Sequence, residues 1–405
     1  MHTLKLYCLR ILPFILLYNC SDNSGTEKVL SEASNYKLAI VDSVQIDILG
    51  SSLSVVDVHD ETGDLLVIQP SPPKLWIISQ EGEIKTTWEK NGDGPDEIGA
   101  YLLSAEFIGE GVAMMGYLRL KIFDKDFKVI ASHKPHFNLQ GMLYMGFNHL
   151  MAFERGGNEY LVTYFGGPQT DKKYDSPEFY EELNVVDVID PMPMGDLETE
   201  TSVNKGQFLP VGRLDENSRF KQGERSYFYL KPTFDVKEQI LTYAYNWDTV
   251  LYKLTLPSGE LLESHPIPFD EFYLNKGFTM GKAVAEMNDR NRPPSDRPGN
   301  IDRVFQSNGF DLVFYRSGLP LERIQAVNLE GVELSRKLNE MDFQKHLILN
   351  DGVRMNKDLG VMKSIIAPSV VDKQGFIWAN QNVYALDEEP DLVTFYKLKI
   401  VADEE

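Results

Sequence analysis

The apolar positions of this chain fall into short β-rich runs rather than at helical spacing, and the runs recur in one outline. The clearest unit is residues 64–89, where DLLVIQ, LWIIS and IKTTWE are separated by the turns SPPK and QEGE. It reads as strand, tight turn, strand, glycine turn, strand. The outline returns over residues 112–133, 240–265 and 311–338, with KDF, SGE and EGV in place of the last turn. Weaker copies begin at Glu159 (EYLVTYF, continued by LNVVDVID) and at Gly375. The second strands of these units start near residues 65, 112, 160, 240, 311 and 376. A base period of about 45–50 residues, stretched by insertions, matches four-stranded propeller blades. The predicted fold is all-β, a six-bladed β-propeller of four-stranded blades. The segment YKLAIVDSVQIDI (36–48) has no partners of its own, so this N-terminal strand is expected to close the last blade against TFYKLKIV.

The first twenty residues, MHTLKLYCLRILPFILLYNC, combine a basic start (Lys5, Arg10) with a short apolar run over 11–17. This is the pattern of a secretory signal. The run is far short of the about 20 residues that cross a bilayer as a helix. The sequence Leu17-Tyr18-Asn19-Cys20 resembles the lipobox of bacterial lipoproteins, with Asn19 where that family usually has Gly, Ala or Ser. The resemblance implies lipidation of Cys20, cleavage before it and a membrane anchor, and Ser21 after the cysteine implies sorting to the outer membrane. Several acyl chains would anchor stably where one would not. The expected organisation is a signal peptide over 1–19, a flexible tether over 20–35 and one propeller over 36–405, with insertions near 166–232 and 270–305.

Cys8 and Cys20 are the two cysteines, so the part after residue 20 has no thiol for a disulfide and relies on core burial. The formal charge is −21, and loss of residues 1–19 removes Lys5 and Arg10 and no acid, leaving −23. Such a surface repels phosphate backbones, which excludes nucleic acid as a partner.

The loop NGDGPDEIG after the first unit carries Gly92, Gly94, Pro95 and Glu97. It resembles the G-x-G-P-x-E signature of six-bladed β-propeller lipoproteins of the Bacteroidetes type, described as TolB-like or NHL-like. The resemblance implies a fold and an envelope location, and no reaction. Read physically, the loop needs no ligand: the glycines allow positive φ and Pro95 sets the turn from one blade to the next.

In a propeller, the connections between second and third strands share one face with those leading to the next blade. On that face the insertion 166–182 brings Tyr174, Phe179 and Tyr180, with a helical turn expected after Asp175-Ser176-Pro177. The second insertion gathers Arg290, Arg292, Arg297 and Arg303, a residue type suited to carboxylates and sulfates, beside Asp289, Asp296 and Asp302. Arg119, Trp247, Asp248, Arg316 and Asn380 are expected on the same face. No G-x-S-x-G or H-E-x-x-H is present, and His133, His136 and His149 form the only near-cluster, broken by Pro135. No metal, cofactor or catalytic residue is therefore expected. The reading is a monomeric scaffold propeller for an envelope protein or glycan partner. The alternative is a propeller hydrolase or lyase acting on a polysaccharide or small ester, which converging carboxylates at the ring centre would favour.

Overall fold

The structure, a computed structural model, describes residues 35–403 apart from 49, 51, 93, 95, 118, 136–149, 166–171, 192–207, 228–229, 290, 292, 367, 387 and 389. Cys20, Pro95, His136, His149, Arg290 and Arg292 lie outside the described residues. Among the described residues the first strand is β1 (Tyr36–Ile46), and the blades follow in order. Blade one is β2 (Ser54–Val58), β3 (Leu65–Gln69), β4 (Lys74–Ile78) and β5 (Ile84–Trp88). Blade two is β6 (Leu102–Ile108), β7 (Gly111–Gly116), β8 (Arg119–Phe123) and β9 (Val129–His133). Blade three is β10 (Leu150–Arg155), β11 (Asn158–Thr163), then α1 (Pro177–Glu182), β12 (Val186–Ile189) and β13 (Phe208–Val211). After β14 (Arg225–Ser226), blade four is β15 (Pro232–Lys237), β16 (Ile240–Tyr245), β17 (Val250–Thr255) and β18 (Leu261–Pro266). Then come β19 (Phe278–Thr279) and α2 (Ala283–Asn288). Blade five is β20 (Arg297–Ser307), β21 (Phe310–Leu319), α3 (Leu321–Gln325), α4 (Gly331–Met341), β22 (Lys345–Asn350) and β23 (Val353–Arg354). Blade six is β24 (Val370–Val371), β25 (Ile377–Asn380) and β26 (Val393–Ala402), and β1 pairs antiparallel with β26 as its fourth strand. The predicted closure is therefore the observed one.

Second strands are buried on both faces, which is why they read as unbroken apolar runs. In β7, Val112 and Met114 pack toward blade one while Ala113 and Met115 pack toward blade three. In β21, Leu312 and Phe314 face blade six and Val313 and Tyr315 face blade four. The strand period of two thus assigns successive residues to the two seams beside a blade. Six apolar clusters among the described residues match the six seams of the ring. Fourth strands alternate instead, as in β9, because one face meets water.

Two parts of the sequence reading need correction. Glu330-Gly331-Val332 is not a turn between strands: it opens α4, and the last two strands of blade five are β22 and β23. Leu334, Leu338 and Met341 recur at helical rather than strand spacing, which explains the difference. Residues 166–232 are not one insertion, since β12 and β13 lie inside them. Residues 172–185 and 212–227 thus lie in two separate connections, before β12 and after β13.

Candidate functional site

In blades two to five the hairpins between first and second strands are two-residue turns. Gly156-Gly157 and Asn308-Gly309 turn with both φ values positive, the signature of two-residue turns that match strand twist. Among the described residues, the opposite face carries the long connecting segments 172–185, 212–227, 267–289 and 320–344, contributed by blades three to five. They interlock. β14 pairs with β19, Gly281 N–H donates to the Asp175 carbonyl at 3.0 Å, and Tyr227 N–H donates to Tyr180 Oη at 2.6 Å. Arg219 joins them further, donating to the carbonyls of Trp247 at 2.8 Å and Asn275 at 2.6 Å while lying over the rings of Phe220 and Tyr227. The predicted helical turn exists, with Ser176 at its cap and Pro177 first. Phe179 and Tyr180 are buried in the blade three–four core with Tyr174 packed against it, so these aromatics hold the cap together rather than face a ligand.

Blade five joins this cap through its own helices. Asp296 accepts from Lys276 Nζ at 2.7 Å and from the backbone N–H of Leu321 at 2.9 Å. The strand β20 starts at Arg297, so Arg297 and Arg303 belong to the innermost strand of the blade and not to a loop. Pro298 and Gly299 inside the segment conceal it from sequence patterning.

Here the candidate residues partly converge. The register of β20 against β21 slips at Asp302, a bulge, and bulges re-aim side chains. The Asp302 carboxylate accepts from Asn300 at 2.6 Å and Gln344 at 2.8 Å, and Arg316 Nε lies 3.7 Å away. Arg297 Nε sits 3.3 Å from the buried Asp342, whose pKa is raised by burial, and its Nη2 donates to Asn339 at 2.8 Å. Arg303 is buried, and loss of hydration pulls its pKa down to about 10. Burial, with Arg303 nearby, also lowers the pKa of Lys231. Arg316 remains half-exposed. The guanidinium groups of Arg297 and Arg316 carry further N–H donors suited to carboxylate or sulfate groups of a partner.

The other candidates are spread around the ring. Arg119 begins the third strand of blade two and Trp247 lies in the turn of blade four against the cap core. Asp248 is buried, accepts from Thr249 N–H at 2.8 Å, and is raised to about 6 by burial. Asn380 donates to the Leu53 carbonyl at 2.5 Å, tying blade six to blade one. In the motif loop the Glu97 carboxylate folds back onto the N–H of Gly94 at 2.5 Å, and a Cβ on Gly92 or Gly94 would collide with that carboxylate. Lys121 Nζ holds the Gly94 carbonyl at 3.1 Å. The G-x-G-P-x-E pattern is thus a loop that locks on its own glutamate.

Sequence reasoning missed the inner strands. Asp57, Glu106 and Asp235 each accept from a backbone N–H on the first strand of the next blade: Phe107 at 2.7 Å, Ala152 at 2.8 Å and Gln306 at 2.6 Å. A first strand is an open edge whose N–H groups need partners, and these carboxyl groups supply them. Burial raises all three, Asp57 and Asp235 to about 7 and Glu106 well above its usual range. Both oxygens of Asp57 and of Asp235 accept backbone N–H groups, which makes them blade-to-blade clasps.

No protein-family model matches the chain, and no curated protein matches it. Among solved structures it is similar to a candidate exported protein of Bacteroides fragilis, at 11% identity and a TM-score of 0.52, over 91% of this chain and 96% of that one. It is also similar to the β-propeller domain of Cps50 (Swd1) from Myceliophteria thermophila, at 8% identity and a TM-score of 0.41, over 90% of each chain. At such identities the Bacteroides likeness speaks for the fold alone.

Proposed function

We propose that this propeller is a cell-envelope lipoprotein that binds an envelope protein or glycan through the face bearing its insertions, without catalysis. The observation that carries the reading is the interlocked cap: among the described residues, connections from blades three to five tie together on one face, with Arg297 and Arg316 held beside it. A rigid ring with an interlocked face suits recognition. The central carboxyl groups, which a hydrolase would use, are already engaged between blades.

Replacing Arg290, Arg292, Arg297 and Arg316 together by alanine should cut capture of partners from envelope extracts by about tenfold or more, as loss of charged hydrogen bonds implies. Arg297→Ala alone, which leaves Asp342 without its guanidinium, serves as the stability control. Unchanged capture by the quadruple variant would refute the arginine rim. The anchor is supported by the sequence around Cys20. No helix among the described residues is long and apolar enough to cross a membrane. Cys20→Ala should move the protein from the detergent phase to the aqueous phase in a phase-partition experiment, and retention in the detergent phase would refute lipidation.

A further inference from the structure

A second opening lies in the seam between blades three and four, where the chain leaves β13. It is a pocket of about 340 Å³, at the lower end of the about 300–1,000 Å³ that small-molecule sites occupy. Its making is local. Gly212, just after β13, and Gly259, in the last turn of blade four, both have φ near +72°. A Cβ on Gly259 would come within 2.9 Å of the Gly212 nitrogen, so only glycines let the two backbones touch there. Both glycines line the pocket beside this pinch.

The lining mixes chemistries in balance. Tyr243 and Tyr252 are stacked, with ring centroids 5.1 Å apart and planes 18° from parallel. Burial raises the pKa of both phenols, so they stay protonated and can donate. Tyr252 Oη reaches Asp248 only at 3.4 Å. Arg213 is oriented by donating one N–H to the Glu182 carbonyl, and Asp215 by accepting from Asn217 N–H at 2.8 Å. Pro210, Leu254 and Leu261 supply apolar wall. One fixed cation and one fixed anion flank the opening, so an anionic ligand meets Asp215 and a cationic one meets Arg213.

We infer that this seam is a binding subsite for a single neutral sugar unit. A pyranose offers hydroxyls that both donate and accept, matching Asp215, Arg213 and the phenols, and C–H faces that match Leu254 and Leu261. The site begins where the connection after β13 leaves the blade, and none of the rim arginines lines it.

Saturation-transfer NMR on the full-length protein tests this with neutral hexoses, their methyl glycosides and N-acetylhexosamines. Glucuronate and glycine are the anionic and zwitterionic comparisons. The expected result is saturable millimolar binding of at least one neutral sugar, weakened about tenfold by Asp215→Asn, as loss of one charged hydrogen bond implies. Leu261 lines the pocket and is 45% exposed, so Leu261→Trp should block binding and leave the melting temperature unchanged. Three results would overturn the inference: no neutral sugar bound at about 20 mM, binding that survives both variants, or glucuronate or glycine bound in preference. Envelope capture lost in the arginine variant with sugar binding intact separates this site from the rim.

Discussion

Replacing Val44 and Ile46 together by aspartate should leave the chain unable to fold as a cooperative ring. Both side chains are buried in the seam between blades six and one, against Phe395 and Trp378. They sit on β1, the fourth strand of blade six, which pairs with β26 along its length. Two carboxylates there would be unpaired and stripped of water, at a cost of several kcal/mol each. Domains are stable by only about 5–15 kcal/mol in total. The ring also loses its closure, exposing the edge of β26 to aggregation. Val41→Asp is the matched control, because Val41 is exposed beside the register slip of the same strand and should shift stability by less than about 0.5 kcal/mol. Circular dichroism in the near ultraviolet and a thermal melt read the outcome. A double variant that melts cooperatively near the wild-type temperature would show that β1 does not close the ring.

The second large effect concerns pH. Asp57 and Asp235 titrate near 7 in the folded ring and near 4 in the unfolded chain, with burial as the main cause. Between those values the folded state binds more protons than the unfolded one, so stability falls as pH rises. The contribution is complete below about pH 4 and gone above about pH 7, and is worth on the order of 4 kcal/mol per group at most. Asp57 keeps some contact with water, so its share is the smaller one. Urea midpoints should therefore be higher at pH 5 than at pH 8. Asparagine does not titrate, so Asp57→Asn with Asp235→Asn should flatten the slope, at the cost of one backbone N–H per site left facing an amide donor. A wild type that gains stability from pH 5 to 8, or a double variant with the wild-type slope, contradicts the clasp reading.

These two predictions divide along what the sequence could show. The blade count and closure follow from local patterns: LLVIQ, GVAMMG and FDLVFY are apolar on both faces and recur at blade spacing. The clasps are invisible to that reading, because Asp57 meets Phe107 and Asp235 meets Gln306 across neighbouring blades, far apart in the chain. The helical insert of blade five was hidden for a different reason, since Gly331 resembles a strand turn while the residues after it repeat at helical spacing. At the candidate site, the arginines were legible as a residue type. Their division into a buried Arg303, an ion-paired Arg297 and a half-exposed Arg316 depends on where β20 begins and on the bulge at Asp302.

The central claim is that partners meet the insertion-bearing face, and in-cell photocrosslinking tests it most directly. A photoreactive phenylalanine can be placed at Arg316 or at Val332, which is 85% exposed on the helical insert of blade five. The comparison positions are Asp126 and Glu238, exposed in turns of the opposite face. The account predicts discrete adducts from Arg316 and Val332 and none from Asp126 or Glu238. Adducts from the turn positions alone, or equally from both faces, would contradict it.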